Sequence, residues 1–245
     1  MIKKVVQKIL NKFGYQIYKK KELEKSRANK NIMLAGLERC FEKRIEIETV
    51  IDIGASNGIW SEGCMKYYPK ASYFLIEAQK EHQFSLIKFK EKYANVDYKI
   101  AAAGGREGFA FFDDSDLFGG LVIEKQDERN LIKVPVTTID IEVSENSLIP
   151  PFLIKLDTHG YELPILEGAK ETLKNSNIVI IEVYNFIIAD ESIRFWEMCA
   201  YMDKLGFLPI DLVDVLHRKK DNSLWQFDLI FVKKDRIEFT FNTYA

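Results

Sequence analysis

Short apolar runs alternate with amphipathic stretches along most of the chain, and this alternation predicts a mostly parallel β-sheet with helices on both faces. The apolar runs, which have the length and composition of buried strands, are 49–53, 72–77, 96–102, 152–157 and 177–184. The stretches with helical spacing between them are 57–68, 79–93 and 160–175. Strands that alternate with helices are typical of the α/β class.

The pattern changes after the third strand and again near the end of the chain. An insertion of further strands is predicted at 108–112, 120–124 and 132–140. A helix at 191–205 precedes two strands, 208–215 and 224–233, and the short polar turn between these strands is typical of an antiparallel pair. We therefore predict a mostly parallel, seven-stranded sheet with an antiparallel C-terminal strand pair and a β insertion after the third strand.

The first thirty residues form a basic arm that differs from the rest of the chain. Their apolar positions fall on one face of a helix and are Ile2, Val5, Val6, Ile9, Leu10 and Phe13. The arm has ten Lys and Arg against two Glu, which gives it a net charge of +8. Because the whole chain has a net charge of −2, the remaining residues have a net charge of −10. We predict two parts, the arm (1–30) and a main domain (31–245). An amphipathic helix at 2–13 would contact an anionic membrane surface or a partner, or pack on its own domain or a second copy.

The composition is that of a globular protein and excludes several classes. The 245 residues are 47% hydrophobic and 29% charged, values that exclude disordered and collagen-like chains. The net charge of −2 gives no reason to expect a nucleic-acid partner. The three cysteines are far apart, and the basic start lacks the apolar core of a secretion signal. We therefore predict a cytoplasmic protein, peripheral at the inner face of the membrane if the arm binds lipid.

A turn of small residues follows the first predicted strand, in the segment Asp52-Ile53-Gly54-Ala55-Ser56-Asn57-Gly58. Small residues allow backbone N–H groups to approach a ligand, and the start of the next helix favours a negative group. The following strand ends in Glu77, at a place where α/β folds hold ribose hydroxyls. The Asp52 carboxylate would repel the pyrophosphate of NAD, whereas it suits the ammonium and sulfonium groups of S-adenosylmethionine. The alternative is a tight turn in which Asn57 caps the helix.

Polar side chains also occur at the ends of two later strands. Asp157 ends one strand, His159 follows it, and Glu182 interrupts an apolar run. A buried carboxylate is costly unless it is paired or bound to a ligand, so a buried Lys155–Glu182 pair and a catalytic role for Glu182 are both open. A third alternative is a divalent cation on Asp157, Glu182 and Asn185, because oxygen ligands suit magnesium.

Three segments of the chain resemble the FkbM family. They are the turn at 52–58, the segment Lys-Leu-Asp-Thr-His-Gly-Tyr-Glu-Leu-Pro-Ile-Leu-Glu-Gly-Ala at 155–169, and Ile-Ile-Glu-Val at 180–183. The resemblance covers roughly residues 47–235 and implies a class I (Rossmann-like) methyltransferase fold that uses S-adenosylmethionine. At matching positions it implies cofactor contacts for Asp52, Gly54, Ser56, Asn57, Glu77 and Ala102, with Glu77 on the ribose diol. It places Asp157, His159 and Glu182 around the methyl group. Many members have Glu or Gln in place of His159.

The resemblance implies methyl transfer to a hydroxyl group, most often of a sugar or another small molecule. Such a hydroxyl needs a proton acceptor, and a histidine with a pKa of about 6.5 suits this role at neutral pH. We predict that His159 is the base: if Asp157 accepts a hydrogen bond from one ring nitrogen, the other can take the proton. His82 and His217 have polar neighbours and are interpreted as surface residues. The rival hypotheses are an NAD-dependent oxidoreductase and a noncatalytic, membrane-associated partner protein.

Overall fold

The computed structural model describes residues 32–116, 119–123 and 131–244. The arm at 1–30, with the predicted amphipathic helix at 2–13, lies outside the described residues. Within the described ranges, no helix combines the length and the apolar character that crossing a bilayer requires.

The strands occupy most of the positions that the hydrophobic pattern predicts. They are β1 (Thr49–Ile53), β2 (Ser72–Glu77), β3 (Val96–Ile100), β4 (Ala102–Ala103), β5 (Gly108–Asp113), β6 (Leu121–Ile123), β7 (Ile132–Thr137), β8 (Phe152–Leu156), β9 (Ser176–Tyr184), β10 (Phe207–His217) and β11 (Leu224–Lys233). The bounds of β1, β2 and β11 agree with the prediction, and those of β8 and β9 differ from it by one residue.

The larger sheet has seven strands in the order β10-β11-β9-β8-β1-β2-β3. The strands from β9 to β3 run parallel to their neighbours, whereas β11 pairs antiparallel with both β9 and β10. This is the mostly parallel sheet with an antiparallel C-terminal pair that the sequence predicts. The predicted Rossmann-like fold class is therefore confirmed.

Helices cover both faces of this sheet, which is why every residue of β1 and β8 is buried. The helices are α1 (Met33–Glu42), α2 (Ile59–Cys64), α3 (Gln83–Lys92), α4 (Ile139–Glu145), α5 (Glu162–Glu167), α6 (Lys170–Lys174) and α7 (Phe195–Lys204). Alternate residues of a strand enter opposite cores, as Val50 and Ile51 do. The two cores hold the strands rigidly and leave their carboxyl ends at one edge.

The predicted insertion forms a separate four-stranded sheet in the order β4-β7-β5-β6. The third strand was predicted to reach residue 102, but it ends at Ile100, because Ala102 and Ala103 pair with β7 instead. The strand predicted at 132–140 ends at Thr137. The residues predicted to end that strand instead form the start of α4, where the Thr138 hydroxyl accepts a hydrogen bond from the backbone N of Ile141 at 3.1 Å.

The helix predicted at 160–175 is divided into α5 and α6 at Gly168. A Cβ atom on Gly168 would lie 2.1 Å from the carbonyl oxygen of Gly104, so only glycine allows this approach of the helix to the start of the insertion. The contact packs the insertion against the helix that follows β8. Both segments thereby border the carboxyl edge of the sheet.

Candidate functional site

The carboxyl ends of the central strands open into a cavity of about 300 Å³. Ligands of open α/β sheets bind at this edge, because parallel strands all end there. Seven of the nine predicted site residues line the cavity, namely Gly54, Ser56, Glu77, Ala102, Asp157, His159 and Glu182. The fold therefore brings together polar residues from four neighbouring strands or the turns that follow them.

Glu77 joins the small-residue turn to the end of β2. The residue is 6% exposed and lines the cavity. Its Oε2 accepts a hydrogen bond from the backbone N of Ser56 at 2.6 Å, and its Oε1 accepts one from the backbone N of Gln79 at 2.8 Å. Hydrogen bonds to a carboxylate are charge-assisted, and two of them fix the orientation of this group at the cavity wall.

His82 belongs to this site, so its interpretation as a surface residue was wrong. It is 5% exposed, lines the cavity, and has its Nε2 3.4 Å from Ser56 Oγ. It ends a short 3₁₀ turn that follows Glu77, and Gln79 in the same segment also lines the cavity. A signal was available, because polar residues just after a strand-end carboxylate lie at the binding edge of the sheet. His217 is exposed, as predicted.

Asp52 and Asn57 are missing from the described residues that line the cavity. Asp52 is fully buried, accepts a hydrogen bond from Ser61 Oγ at 2.7 Å, and lies 3.8 Å from Lys155 Nζ. Burial raises the pKa of Asp52, and the nearby Lys155 ammonium opposes this effect. Asn57 Oδ1 accepts a hydrogen bond from the backbone N of Ile59 at 3.2 Å, a local turn contact just before α2, whose N-cap is Gly58. The predicted contacts of these two residues with a cofactor have no support in this geometry.

Lys155 pairs with Asp157, so the interpretation as a Lys155–Glu182 pair was wrong. The Lys155 side chain is 4% exposed, and its Nζ lies 2.8 Å from Asp157 Oδ2. Burial alone raises the pKa of Asp157, but the Lys155 ammonium outweighs burial and lowers that pKa below its usual value. Asp157 is thus an ionised carboxylate whose charge is matched within the protein.

His159 contacts the end of the neighbouring strand. Its Nδ1 lies 3.1 Å from Glu182 Oε2 and 3.0 Å from the hydroxyl of Tyr184. The prediction named Asp157 as the hydrogen-bond partner of the ring, but the carboxylate at Nδ1 is Glu182. Glu182 also accepts hydrogen bonds from the Tyr184 hydroxyl and the Gln226 amide, which hold it in place. The reason is the register of the sheet, which sets the end of β9 beside the turn after β8.

The turn after β1 approaches β8 closely at Gly54. The φ angle of Gly54 is +71°, and a Cβ atom here would lie 2.0 Å from the carbonyl oxygen of Asp157. Any other residue would push the turn away from β8. Gly54 therefore sets the distance between the Glu77 end of the cavity and the Asp157 end.

Two further carboxyl groups near Glu182, those of the buried Glu162 and the half-buried Asp228, have raised pKa values. Burial raises the pKa of Glu162 to about 7, and the charge of Glu182 acts in the same direction. Burial raises the pKa of Asp228 to about 8, although Lys155 opposes it, and Glu182 and Asp157 add to the increase. Asp228 faces Glu182 across the β11–β9 pair. Perturbed carboxyl groups are common near catalytic sites, but neither of these two is among the described residues that line the cavity.

Two ligands of the cation alternative, Asp157 and Glu182, and the neighbouring His159 offer donor atoms close together. One such atom from each lies within 4.8 Å of the others. However, Asp157 is paired with Lys155, and Glu182 accepts hydrogen bonds from Tyr184 and Gln226. One oxygen of Asp157 and both oxygens of Glu182 thus have protein partners. The amide of Asn185, the third ligand in that alternative, donates to the carbonyl oxygen of Leu224 at 3.3 Å.

The insertion forms one wall of the cavity through Phe112, Gly120 and Val122. It is tied to the loop after β2, because the Gln79 amide donates a hydrogen bond to the carbonyl oxygen of Asp116 at 2.8 Å. Phe109, at the far end of β5, is 68% exposed and takes no part in this wall. The insertion therefore encloses the cavity on the side of Glu77.

Comparison with known proteins identifies one sequence family. Residues 52–209, more than half of the chain, match the model described as the methyltransferase FkbM domain. A search of curated proteins found no significant match.

Three solved structures illustrate what the chain is similar to. The methyltransferase FkbM of Methylobacillus flagellatus KT is 18% identical with a TM-score of 0.49, over 76% of this chain and 43% of that chain. The precorrin-6y C5,15-methyltransferase of Geobacter metallireducens GS-15 is 12% identical with a TM-score of 0.45, over 82% of this chain and 87% of that chain. M. jannaschii TYW2, in complex with AdoMet, is 18% identical with a TM-score of 0.42, over 82% of this chain and 75% of that chain.

Proposed function

The chain belongs to the FkbM methyltransferase family, and from this premise we propose that it transfers the methyl group of S-adenosylmethionine to a hydroxyl group of a saccharide or a similar small molecule. One observation carries the proposal. A single cavity has the buried Glu77 carboxylate at one end and the cluster of Asp157, His159 and Glu182 at the other. The first suits a cofactor, and the second suits the preparation of an acceptor hydroxyl.

The residues present fit S-adenosylmethionine. Glu77 is held by two backbone N–H groups and retains lone pairs with which it can accept hydrogen bonds from both ribose hydroxyls. The adjoining wall is apolar and suits the adenine ring; it comprises Ala101, Ala102, Ala103, Phe112 and Val122. The cavity volume lies at the lower end of the range for small-molecule sites. When bound, this cofactor supplies an electrophilic methyl group on a sulfonium centre.

The acceptor hydroxyl must lose its proton as the methyl group is transferred, and His159 is placed to take it. Because the Glu182 carboxylate only accepts hydrogen bonds, we assign the ring proton of neutral His159 to Nδ1, which makes Nε2 the basic nitrogen. Glu182 then orients the ring and stabilises the positive charge that develops when His159 takes the proton. Asp157, held by Lys155, is a second acceptor that can align the hydroxyl with the donor methyl.

Charge distinguishes this proposal from an NAD-dependent oxidoreductase. Among the described residues that line the cavity there are three carboxylates, Glu77, Asp157 and Glu182, and neither Lys nor Arg. These carboxylates would repel the pyrophosphate of NAD, and no Lys or Arg among these residues would bind it. A saccharide, by contrast, has many hydroxyl donors for these carboxylates. A noncatalytic protein would have no need for a histidine beside a carboxylate at the cavity wall.

The first experiment compares ligands by thermal shift, because a ligand of the native state raises the melting temperature. We expect S-adenosylhomocysteine to raise it by several degrees and NAD to leave it unchanged. Transfer of a labelled methyl group from S-adenosylmethionine to a panel of methyl glycosides then tests the acceptor class. A shift with NAD alone would favour the oxidoreductase. A shift with S-adenosylhomocysteine without transfer to any glycoside would overturn the saccharide assignment and keep the cofactor.

A further inference from the structure

The turn that carries His159 has an unfavourable backbone conformation. The φ angles of His159 and Gly160 are +52° and +103°, so two successive residues lie in the left-handed region. A residue with a Cβ atom rarely adopts this conformation unless neighbouring contacts impose it. In this conformation the His159 ring contacts Glu182 on β9. Some other group must therefore hold the turn.

Glu162, the first residue of α5, supplies those contacts. Its Oε1 accepts a hydrogen bond from Thr158 Oγ1 at 3.1 Å and another from the backbone N of Gly160 at 3.0 Å. The two donors are the residues immediately before and after His159. One carboxylate oxygen thus fixes both sides of the left-handed residue.

Burying a carboxyl group at this position has a desolvation cost. Glu162 is 4% exposed, and burial without hydrogen bonds would be strongly unfavourable for its charged form. An apolar side chain would fill the same place between helix and sheet without that cost. The hydrogen bonds to the turn account for the carboxyl group, since an apolar residue could not make them. Glu162 is not among the described residues that line the cavity, so it does not meet a ligand directly.

We propose that Glu162 is a positioning residue that holds the turn at 158–160 so that His159 Nδ1 remains on Glu182. This inference rests on the proposed function, in which His159 takes the proton of the acceptor. It names a residue outside the cavity on which the rate of transfer depends. It also explains how the strained turn is maintained while the acceptor end of the cavity stays open.

Three substitutions separate the geometry of the hydrogen bonds from the charge. Glu162→Gln keeps an oxygen within reach of both donors but removes the charge. Glu162→Asp keeps the charge but withdraws the oxygens by one methylene, and Glu162→Ala removes both. We expect Glu162→Gln to keep kcat within a few-fold of the wild type. Glu162→Asp and Glu162→Ala should lower kcat by about 100-fold, the effect of a catalytic group misplaced by about 1 Å.

Glu142 provides the matched control. It is 1% exposed and accepts a hydrogen bond from Thr137 Oγ1 at 2.6 Å, so it is also a buried carboxylate that holds a threonine. Like Glu162 it is absent from the described cavity lining, but the threonine that it holds is outside the turn at 158–160. Glu142→Gln should change kcat by less than threefold at saturating substrate. S-adenosylhomocysteine affinity and melting temperature, measured for every variant, report on the cofactor end and the fold.

Histidine-selective NMR gives a readout that a general loss of stability does not move. The chain has three histidines, so labelled imidazoles give three signals, and His159→Ala assigns one of them. We expect Glu162→Asp and Glu162→Ala to shift the His159 signal and leave those of His82 and His217 in place. In Glu162→Gln all three should stay near their wild-type positions.

Two results would overturn the proposal. One is an unchanged His159 signal and wild-type kcat in Glu162→Asp, and the other is a Glu162→Gln enzyme as slow as Glu162→Asp, which would assign the effect to charge. If Glu162→Ala fails to fold, the comparison of Glu162→Gln with Glu162→Asp is sufficient to test the proposal. If the wild-type protein does not bind S-adenosylhomocysteine, the proposed function is contradicted. The NMR comparison would still test whether Glu162 holds the turn.

Discussion

Glu77 Oε2 accepts a hydrogen bond from the backbone N of Ser56 at 2.6 Å, and this contact ties the turn after β1 to the end of β2. The two strands are adjacent and parallel, so their carboxyl ends lie side by side at the cavity. Ser56 itself has a φ angle of +50°, which the contact with Glu77 helps to hold. The carboxylate therefore has two roles, as an anchor of the turn and as an acceptor for ligand hydroxyls.

Replacement of Glu77 by Ala should weaken cofactor binding. The loss of one charge-assisted hydrogen bond costs about 1.5–3 kcal/mol, so we expect the dissociation constant of S-adenosylhomocysteine to rise at least about tenfold in calorimetry. Glu81→Ala, a change at an exposed carboxylate four residues later, is the control and should have no effect. An unchanged affinity in Glu77→Ala would show that the ribose binds elsewhere.

His82 should contribute to the same end of the cavity. It is buried at the wall beside Ser56, so His82→Ala removes a polar contact worth about 1 kcal/mol. We expect a rise of about fivefold in the dissociation constant of S-adenosylhomocysteine, with kcat unchanged at saturating cofactor. His217→Ala, at an exposed position, serves as the control. A drop in kcat without a change in affinity would contradict this assignment.

His159→Ala should slow methyl transfer. Loss of a general base costs about 10² to 10⁴ in rate, whereas the cofactor end should keep its affinity for S-adenosylhomocysteine within a few-fold. The acidic limb of the pH–rate profile should disappear, since protonation of the histidine no longer limits the rate. His217→Ala is again the control. A variant that retains more than about a tenth of the activity with the same profile would move the role to Asp157 or Glu182.

Removal of divalent metal ions should leave the activity unchanged. Lys155 lies 2.8 Å from Asp157, and Tyr184 and Gln226 donate to Glu182, so both carboxylates have protein partners. We expect full methyl transfer after dialysis against EDTA, with S-adenosylhomocysteine binding as the check that the protein is intact. If activity falls and returns with Mg²⁺ or Mn²⁺, the site at Asp157, His159 and Glu182 holds a cation.

The stability of the protein should fall as the pH rises past neutrality because of Asp228. Burial raises the pKa of Asp228 from 3.8 to about 8, so the folded state binds this proton more tightly than the unfolded state does. Stability from this group is full below about pH 4 and is lost progressively up to about pH 8. We expect Asp228→Asn to remove that loss and to melt at least about 3 °C higher than the wild type at pH 9.

The same comparison at pH 4 provides the control for Asp228→Asn. There the carboxyl group of Asp228 is neutral in the folded state and only partly ionised in the unfolded state, so the two proteins should have similar melting temperatures. An Asp228→Asn variant that is less stable than the wild type at pH 9 would show that the ionised carboxylate is stabilising, most directly through Lys155.

The pattern of apolar and polar residues along the sequence predicts the strands of the larger sheet, because each buried strand is a local run of apolar residues between polar turns. The sequence alone therefore predicts β1, β2 and β11 with their bounds, and the strand ends that supply Glu77, Asp157 and Glu182. It does not predict the pairing of Ala102 and Ala103 with β7 or the start of α4 at Ile139, since these depend on contacts with distant segments. Residues 2–13 lie outside the described structure, and their helix stays a prediction.

Which polar groups pair with one another was decided only by the tertiary structure. The sequence names Lys155, Asp157, His159 and Glu182 and offers a Lys155–Glu182 pair as one alternative, whereas the structure pairs Lys155 with Asp157 and sets His159 Nδ1 on Glu182. Burial and partners of a side chain depend on strand order, register and the left-handed turn at 159, none of which is a local property. His82 illustrates the same limit, because only the closure of its loop onto Ser56 makes a polar-flanked histidine a buried residue of the cavity.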